Sequence, residues 1–254
     1  VARALSIDTD FVYRPPSGSR PHVVLLPGLV AGRWMWEPTL QALAANGYGF
    51  LTLEHPLAGE HDSVEPITHG VIDLMDRCGI ASAVMVGGSF GSRIAIDCAL
   101  KFPKRVDMLA LSGAPGSVTT TQLGVGFQGK ATRAFCLFLV DKIFYDRRHV
   151  DEAEIEAMIR LFRDTRRTVN AMRLMKECSG FDYASALARI DPAVLMIWGA
   201  YDQISPCETW QRDLAPSARR GSFFRIERCG HVPMIERPRI FNALLLDRLQ
   251  PALS

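Results

Sequence analysis

The run Ala83-Val84-Met85-Val86-Gly87-Gly88-Ser89-Phe90-Gly91 decides the fold. Its first four residues are an apolar run of strand length, and from Phe90 to about Phe102 apolar side chains recur at helical spacing until Pro103 stops them. The turn between them reads G-x-S-x-G. A serine lifted out of so tight a strand-to-helix turn needs a backbone strained towards φ > 0. It also needs neighbours without side chains two positions either side, which Gly87 and Gly91 supply. The helix begun at Phe90 points its positive end at the Ser89 hydroxyl, where an oxyanion would develop.

Working outward, strand and helix patterns alternate. His22–Leu26 is a buried strand ended by Pro27-Gly28, Trp34–Ala45 a helix stopped by Asn46-Gly47, and Phe50–Leu53 a strand. Ile67–Cys78 is a helix ended by Gly79, and beyond the Ser89 turn and its helix comes the strand Val106–Leu111. From about Pro115 to Asp182 the alternation breaks and the pattern is helical, as expected of an inserted helical lid. There Ile155, Met158, Ile159 and Phe162 share a face behind the acidic first turn Asp151-Glu152-Ala153-Glu154. The alternation resumes with strand Ala193–Trp198, helix Pro206–Leu214, strand Ser222–Ile226 and helix Arg237–Leu249. This order predicts an α/β protein with a mostly parallel central sheet flanked by helices, one domain over residues 1–254 with the lid at about 115–182.

Composition narrows the partner. A chain of 254 residues with 48% hydrophobic side chains can bury one large core, and 20 Gly with 15 Pro, dispersed in turns, excludes collagen-like and low-complexity readings. The charges, 29 Lys+Arg against 27 Asp+Glu, form no basic stripe, so no nucleic-acid partner is expected. Cys78, Cys98, Cys136, Cys178, Cys207 and Cys229 are widely spaced and form no CxxC or Cys/His ligand cluster. Free thiols, no metal and a reducing, cytoplasmic setting follow as expectations. The opening VARALSIDTDFVYRPPSGSRP lacks the charged-then-apolar order of a signal peptide. The apolar run Ala134–Val140 is far short of the roughly 20 residues that span a bilayer, so no membrane span is expected. A small-molecule partner remains.

A serine hydroxyl needs a base. Cys229-Gly230-His231-Val232-Pro233 offers one between the last strand and the last helix, at the carboxyl edge of the sheet where open α/β sheets bind ligands. His55 and His61 lie in one earlier loop, His22 opens a strand, and His69 and His149 fall in helical or lid regions. The base needs an orienting carboxylate, and Trp198-Gly199-Ala200-Tyr201-Asp202 places one just past a strand, whereas Leu111-Ser112-Gly113-Ala114 at the neighbouring strand end carries no acid. Ser89, Asp202 and His231 thus stand in the order Ser…Asp…His, each after a separate strand.

With these residues in place, the chain resembles the α/β-hydrolase superfamily over nearly its whole length, through LLPGL at Leu25–Leu29, GGSFG at Gly87–Gly91, WGAYDQISP at Trp198–Pro206 and CGHVPMIERP at Cys229–Pro238. The resemblance implies Ser89 as nucleophile, His231 as base and Asp202 as its partner, with the backbone amides of Leu29 and Phe90 as oxyanion hole. Pro27 and Gly88 stand where members often carry histidines, and the HGGG loop of many lipases is missing. A serine nucleophile argues against the haloalkane dehalogenase and epoxide hydrolase branches, which use aspartate. Trp34 and Trp36 are pocket candidates or plain packing, and Arg93 is similar in position to an arginine of carboxylate-binding lyases or else sits in an ion pair. Lid residues Phe127, Phe135, Phe138, Phe144 and Phe162 suit an apolar substrate as well as they suit a lid core, with Phe135 and Phe138 taken as contacts. The expected function is a cofactor-free, carboxylesterase-like serine hydrolase, cleaving a small or medium apolar ester or thioester through an acyl-enzyme. The alternatives are a C–C bond hydrolase or lyase with the same triad, and a ligand receptor that retains the triad with little turnover.

Overall fold

Along each inner strand, alternate side chains enter two separate cores, as the two-residue period of a strand requires. Val23 and Leu25 of β2 (His22–Leu26) face one core while Val24 and Leu26 face the other, and Val84 and Val86 of β4 (Ala83–Gly88) oppose Ala83 and Met85 in the same way. Both faces are therefore covered, which explains why these strands read as unbroken apolar runs. The structure, a computed structural model, describes residues 10–57, 61–116 and 132–250.

Seven strands, completed by β1 (Phe11–Arg14), β3 (Gly49–Leu53), β5 (Val106–Ser112), β6 (Ala193–Gly199) and β7 (Gly221–Ile226), form one sheet in the order β1-β3-β2-β4-β5-β6-β7. All pairings are parallel except that of β1 with β3, where Phe11 sits opposite Leu53 and Arg14 opposite Phe50. This is the mostly parallel sheet expected from the alternation. Strand β1 was not anticipated: it is four residues long, only half-buried and cut off by Pro15-Pro16, too short for alternation to register.

Helices α1 (Glu37–Ala45) and α10 (Pro238–Leu249) border one core, and α2 (Val64–Arg77) and α3 (Phe90–Lys101) the other. The helix expected from Trp34 begins instead with a tight turn over Arg33–Trp36, and α1 proper starts beside Pro38, whose fixed φ suits a first helical turn. Between β5 and β6 lie α4 (Arg133–Ile143), α5 (Glu152–Arg163), α6 (Thr165–Ser179) and α7 (Tyr183–Ala188), so the break in alternation is helical where described. The expected Phe127 lies outside the described residues. The acidic turn before α5 is a capping box: Asp151 accepts from the Glu154 N–H at 3.1 Å and Glu154 from the Asp151 N–H at 2.7 Å. The helix expected over Pro206–Leu214 is a single turn, α8 (Cys207–Thr209), that widens over Trp210–Leu214, where Trp210 stacks on Trp198 at 4.6 Å. A short α9 (Pro233–Glu236) precedes α10.

Candidate active site

Ser89 sits between β4 and α3 with φ 52° and ψ −123°, a conformation that side chains other than glycine's rarely adopt. The elbow fits only because its flanks are bare. A Cβ on Gly91 would lie 2.0 Å from the Leu26 carbonyl oxygen and one on Gly87 2.4 Å from Ser92 Cα. The strain is held by the Ser89 N–H, which donates to the Ser112 carbonyl at 2.8 Å, and by Ser92, whose hydroxyl donates to the Gly87 carbonyl at 2.7 Å and accepts from the Ser112 N–H at 3.3 Å. Phe90 is the first residue of α3, so its N–H has no acceptor within the helix. At Gly88, space that a larger residue would need is filled by the Met35 and Met234 methyls and the Trp36 ring.

His231 and Asp202 are both buried, and His231 Nδ1 lies 2.9 and 3.0 Å from the two Asp202 oxygens. A carboxylate only accepts, so Nδ1 is the donor, and the neutral imidazole in this orientation presents Nε2 as an acceptor. Asp202 is itself fixed: Oδ1 accepts from the N–H groups of Ile204 at 2.9 Å and Ser205 at 2.8 Å. The acid-free end of β5 also has a role that the sequence reading missed. Gly113, at φ 57°, lies under the imidazole, and a Cβ there would be 2.8 Å from His231 Cε1 and 2.9 Å from Nδ1.

A second carboxylate, not anticipated, is buried beside the His231 loop. Glu236 Oε1 accepts from the Gly230 N–H at 2.7 Å, and Oε2 from the N–H groups of Tyr145 at 2.9 Å and Asp146 at 3.1 Å. Burial pushes its pKa up, and the three N–H donors oppose that shift. Its signal in the sequence is an acid five positions after His231 in an otherwise apolar stretch.

Ser89 and His231 line one cavity of about 210 Å³ over the carboxyl ends of the strands, between the sheet and helices α4 to α6. Leu29, Phe90, Trp34 and Phe135 also line it, with Phe144 and Phe162, and Phe135 meets Phe162 edge-on at 5.6 Å. Two proposed contacts stand elsewhere. Trp36 is fully buried against Phe241, because the tight turn at Arg33–Trp36 directs Trp34 and Trp36 differently, and Phe138 lies on the exposed side of α4 under Lys142. Arg93 is absent from the lining as well; it is buried in an ion pair with Asp97 at 3.1 Å, its guanidinium 3.7 Å above the Phe181 ring. Among the described lining residues the charged side chain is Glu154, and no Lys or Arg is present. Among the described residues no cluster of three His, Cys, Asp or Glu is placed to hold a metal, and no helix is long and apolar enough to cross a membrane.

Comparison with known proteins agrees with this architecture. The model of the alpha/beta hydrolase family matches residues 23–244. A 2-hydroxy-6-oxononadienedioate/2-hydroxy-6-oxononatrienedioate hydrolase of Paraburkholderia phymatum is 26% identical, over 93% of this chain and 90% of its own. A 2-hydroxymuconate semialdehyde hydrolase of a Pseudomonas species is 29% identical, over 84% of this chain and 77% of its own. Among solved structures, a meta-cleavage product hydrolase from Pseudomonas fluorescens superposes with a TM-score of 0.74 at 23% identity, covering 94% of this chain and 93% of that one. With the family model spanning most of the sequence, the chain belongs to the alpha/beta hydrolase family and is a hydrolase.

Proposed function

We propose that the chain is a serine hydrolase that cleaves a C–C bond next to a ketone in a small conjugated substrate, a 2-hydroxy-6-oxo-dienoate with a neutral, apolar group on the ketone. The observation that carries the hydrolytic part is His231, paired with Asp202, lining the same cavity as a serine on a strained turn. The bond and the substrate class are supported by the names of the relatives above, which act on 2-hydroxy-6-oxo acids or a muconate semialdehyde. The neutral group is supported by the lining, which is apolar apart from Ser89, Ser179, His231 and Glu154. A dioate would bring a second carboxylate to a lining that offers no Lys or Arg among the described residues, and the one carboxylate of the proposed substrate accordingly stays in water at the mouth of the cavity.

The chemistry follows from the groups in hand. The enol passes its proton to C5, making C2 a ketone. Ser89 Oγ then adds to the C6 carbonyl as its proton moves to His231 Nε2, and the Leu29 and Phe90 amides receive the oxyanion. The C5–C6 bond breaks, its electron pair runs through the C3=C4 double bond to the C2 oxygen, and the proton on His231 neutralises the dienolate. Water, deprotonated by His231, releases the acyl group from Ser89 as a carboxylic acid. Helices α4 to α6 act as the lid that excludes bulk water within a single-domain protein, in a reducing, cytoplasmic setting that its six free cysteines support.

A second reading, hydrolysis of a neutral apolar ester, is favoured by the same lining and uses the same acyl-enzyme with an alcohol as leaving group. The deciding experiment presents 2-hydroxy-6-oxo-dienoates with phenyl, methyl or carboxyalkyl groups on the ketone beside activated esters, and follows loss of the dienol chromophore and release of acid. The C–C reading requires kcat/KM for the phenyl or methyl compound to exceed that for the esters. Ester turnover with an untouched dienoate chromophore would replace it with the second reading.

A further inference from the structure

The buried carboxylate of Glu236 lies at a junction between two parts of the site that are remote in sequence. One is the loop carrying His231, just before α9. The other is Ile143–Asp146, where α4 ends and where Ile143 and Phe144 line the cavity. Four hydrogen bonds close the junction. Three are the N–H donations from Gly230, Tyr145 and Asp146 to Glu236; the fourth is donated by the His231 N–H to the Ile143 carbonyl at 2.7 Å. The approach leaves no spare room, since a Cβ on Gly230 would lie 2.5 Å from the Ile143 carbonyl oxygen, 2.7 Å from the Tyr145 nitrogen and 2.9 Å from Glu236 Oε1. Glu236 is the acceptor for all three of these backbone N–H groups, and N–H groups withdrawn from water require one.

We propose that Glu236 is a positioning residue for His231, holding the base loop and the cavity-facing end of α4 as one body. Asp202 sets the tautomer and plane of the imidazole, while Glu236 sets where its backbone stands relative to Ser89 and the substrate wall. A displacement of about 1 Å at the base costs on the order of a hundredfold in rate, because proton transfer requires hydrogen-bond distance. The charge matters as well as the shape. Gln has one acceptor oxygen in place of two, so Glu236→Gln keeps the side-chain volume but strands either the Gly230 side or the Tyr145/Asp146 side of the junction. This role rests on the proposed assignment of His231 as base.

The test compares the full-length parent with Glu236→Gln, using an activated ester and a serine-directed phosphonate, both of which report on Ser89 whatever the natural substrate. The expected result is a kcat at least tenfold lower with KM within about twofold, and a Ser89 labelling rate that falls in the same proportion, measured well below the unfolding temperature. Gly230→Ala, which wedges the same junction without touching the carboxylate, should give the same split between kcat and KM. It decides the matter should Glu236→Gln not fold. A folded Glu236→Gln or Gly230→Ala protein with kcat within twofold of the parent, however much its melting temperature had dropped, would overturn the proposal and leave Glu236 a purely structural acid. Failure of the parent itself to label at Ser89 would instead strike at the catalytic assignment.

Discussion

His231 and Asp202 are joined side on, with Nδ1 within 3.0 Å of both carboxylate oxygens, while Asp202 Oδ1 is simultaneously the acceptor for the Ile204 and Ser205 N–H groups. One side chain thus orients the imidazole and folds its own loop. This double duty separates the effects of two substitutions. Asp202→Asn can keep its loop bonds through Oδ1 but turns an N–H donor towards Nδ1, forcing the proton to Nε2. We expect kcat to fall by about 10⁴ with the melting temperature nearly unchanged. Asp202→Ala should lose both activity and stability. Kinetics and thermal melts on the two variants check the distinction.

Ser89 is held at positive φ, and its side chain is the proposed nucleophile. Ser89→Ala should abolish phosphonate labelling and cut kcat by about 10⁴ to 10⁶ while leaving the fold intact. Ser89→Gly should be equally inactive yet more stable than Ser89→Ala by roughly 1 kcal/mol, because only glycine adopts that backbone conformation without strain. Urea titrations of the two variants measure the difference; equal midpoints would mean that the elbow stores no strain.

Gly113 admits the imidazole. Gly113→Ala should cost stability through its φ of 57° and also drive its Cβ into His231, so activity at temperatures where the variant remains folded should fall by at least a hundredfold. Activity measured on protein shown to be folded by near-UV circular dichroism separates the two losses.

Arg93 and Asp97 form a buried ion pair away from the cavity, so breaking it should damage the fold and spare the chemistry. Arg93→Leu leaves Asp97 with Thr68 and Lys101 alone and is expected to cost about 3–5 kcal/mol. Burial pushes the Asp97 pKa up, but the Arg93 charge and the hydrogen bonds from Thr68, Arg93 and Lys101 outweigh it and hold the carboxyl below its usual range. A depressed pKa contributes stability above the unfolded value, and that stability is lost as pH falls through the folded one. The urea midpoint of the parent should therefore approach that of Asp97→Asn as pH drops below about 4.

Phe135 lines the cavity and Phe138 does not, although they sit three residues apart on one helix. Phe135→Ala should shift preference between substrates differing in acyl size by roughly 1–3 kcal/mol in kcat/KM ratio, and Phe138→Ala should leave that ratio unchanged. A series of acyl chain lengths measures both.

The strands that cross the middle of the molecule were legible because each is apolar on both faces and closed by a turn residue, and the order of Ser89, Asp202 and His231 followed from where those strands end. What escaped was set by three-dimensional contacts without a local period. Strand β1 exists only by pairing with β3, and the bare Gly113 has meaning only beside an imidazole 118 residues later. Glu236 reads locally as one more helix-turn acid; its importance lies in donors from Tyr145 and Asp146, some 90 residues away. Trp34 and Trp36 were indistinguishable in sequence because the turn at Arg33–Trp36 is not the helix their spacing suggested.

Of the three proposed catalytic residues, the base is made last. Ser89 leaves the ribosome with β4, near the middle of the parallel array, but His231 follows β7 at its far edge and is placed by contacts with residues from β5 onward. A nascent chain ending before β7 can assemble the elbow and its neighbouring strands, yet its hydroxyl has no proton acceptor and is as inert as free serine. Under the proposed mechanism, translation itself acts as a timer, and the hydrolase switches on only when the loop after β7 has docked.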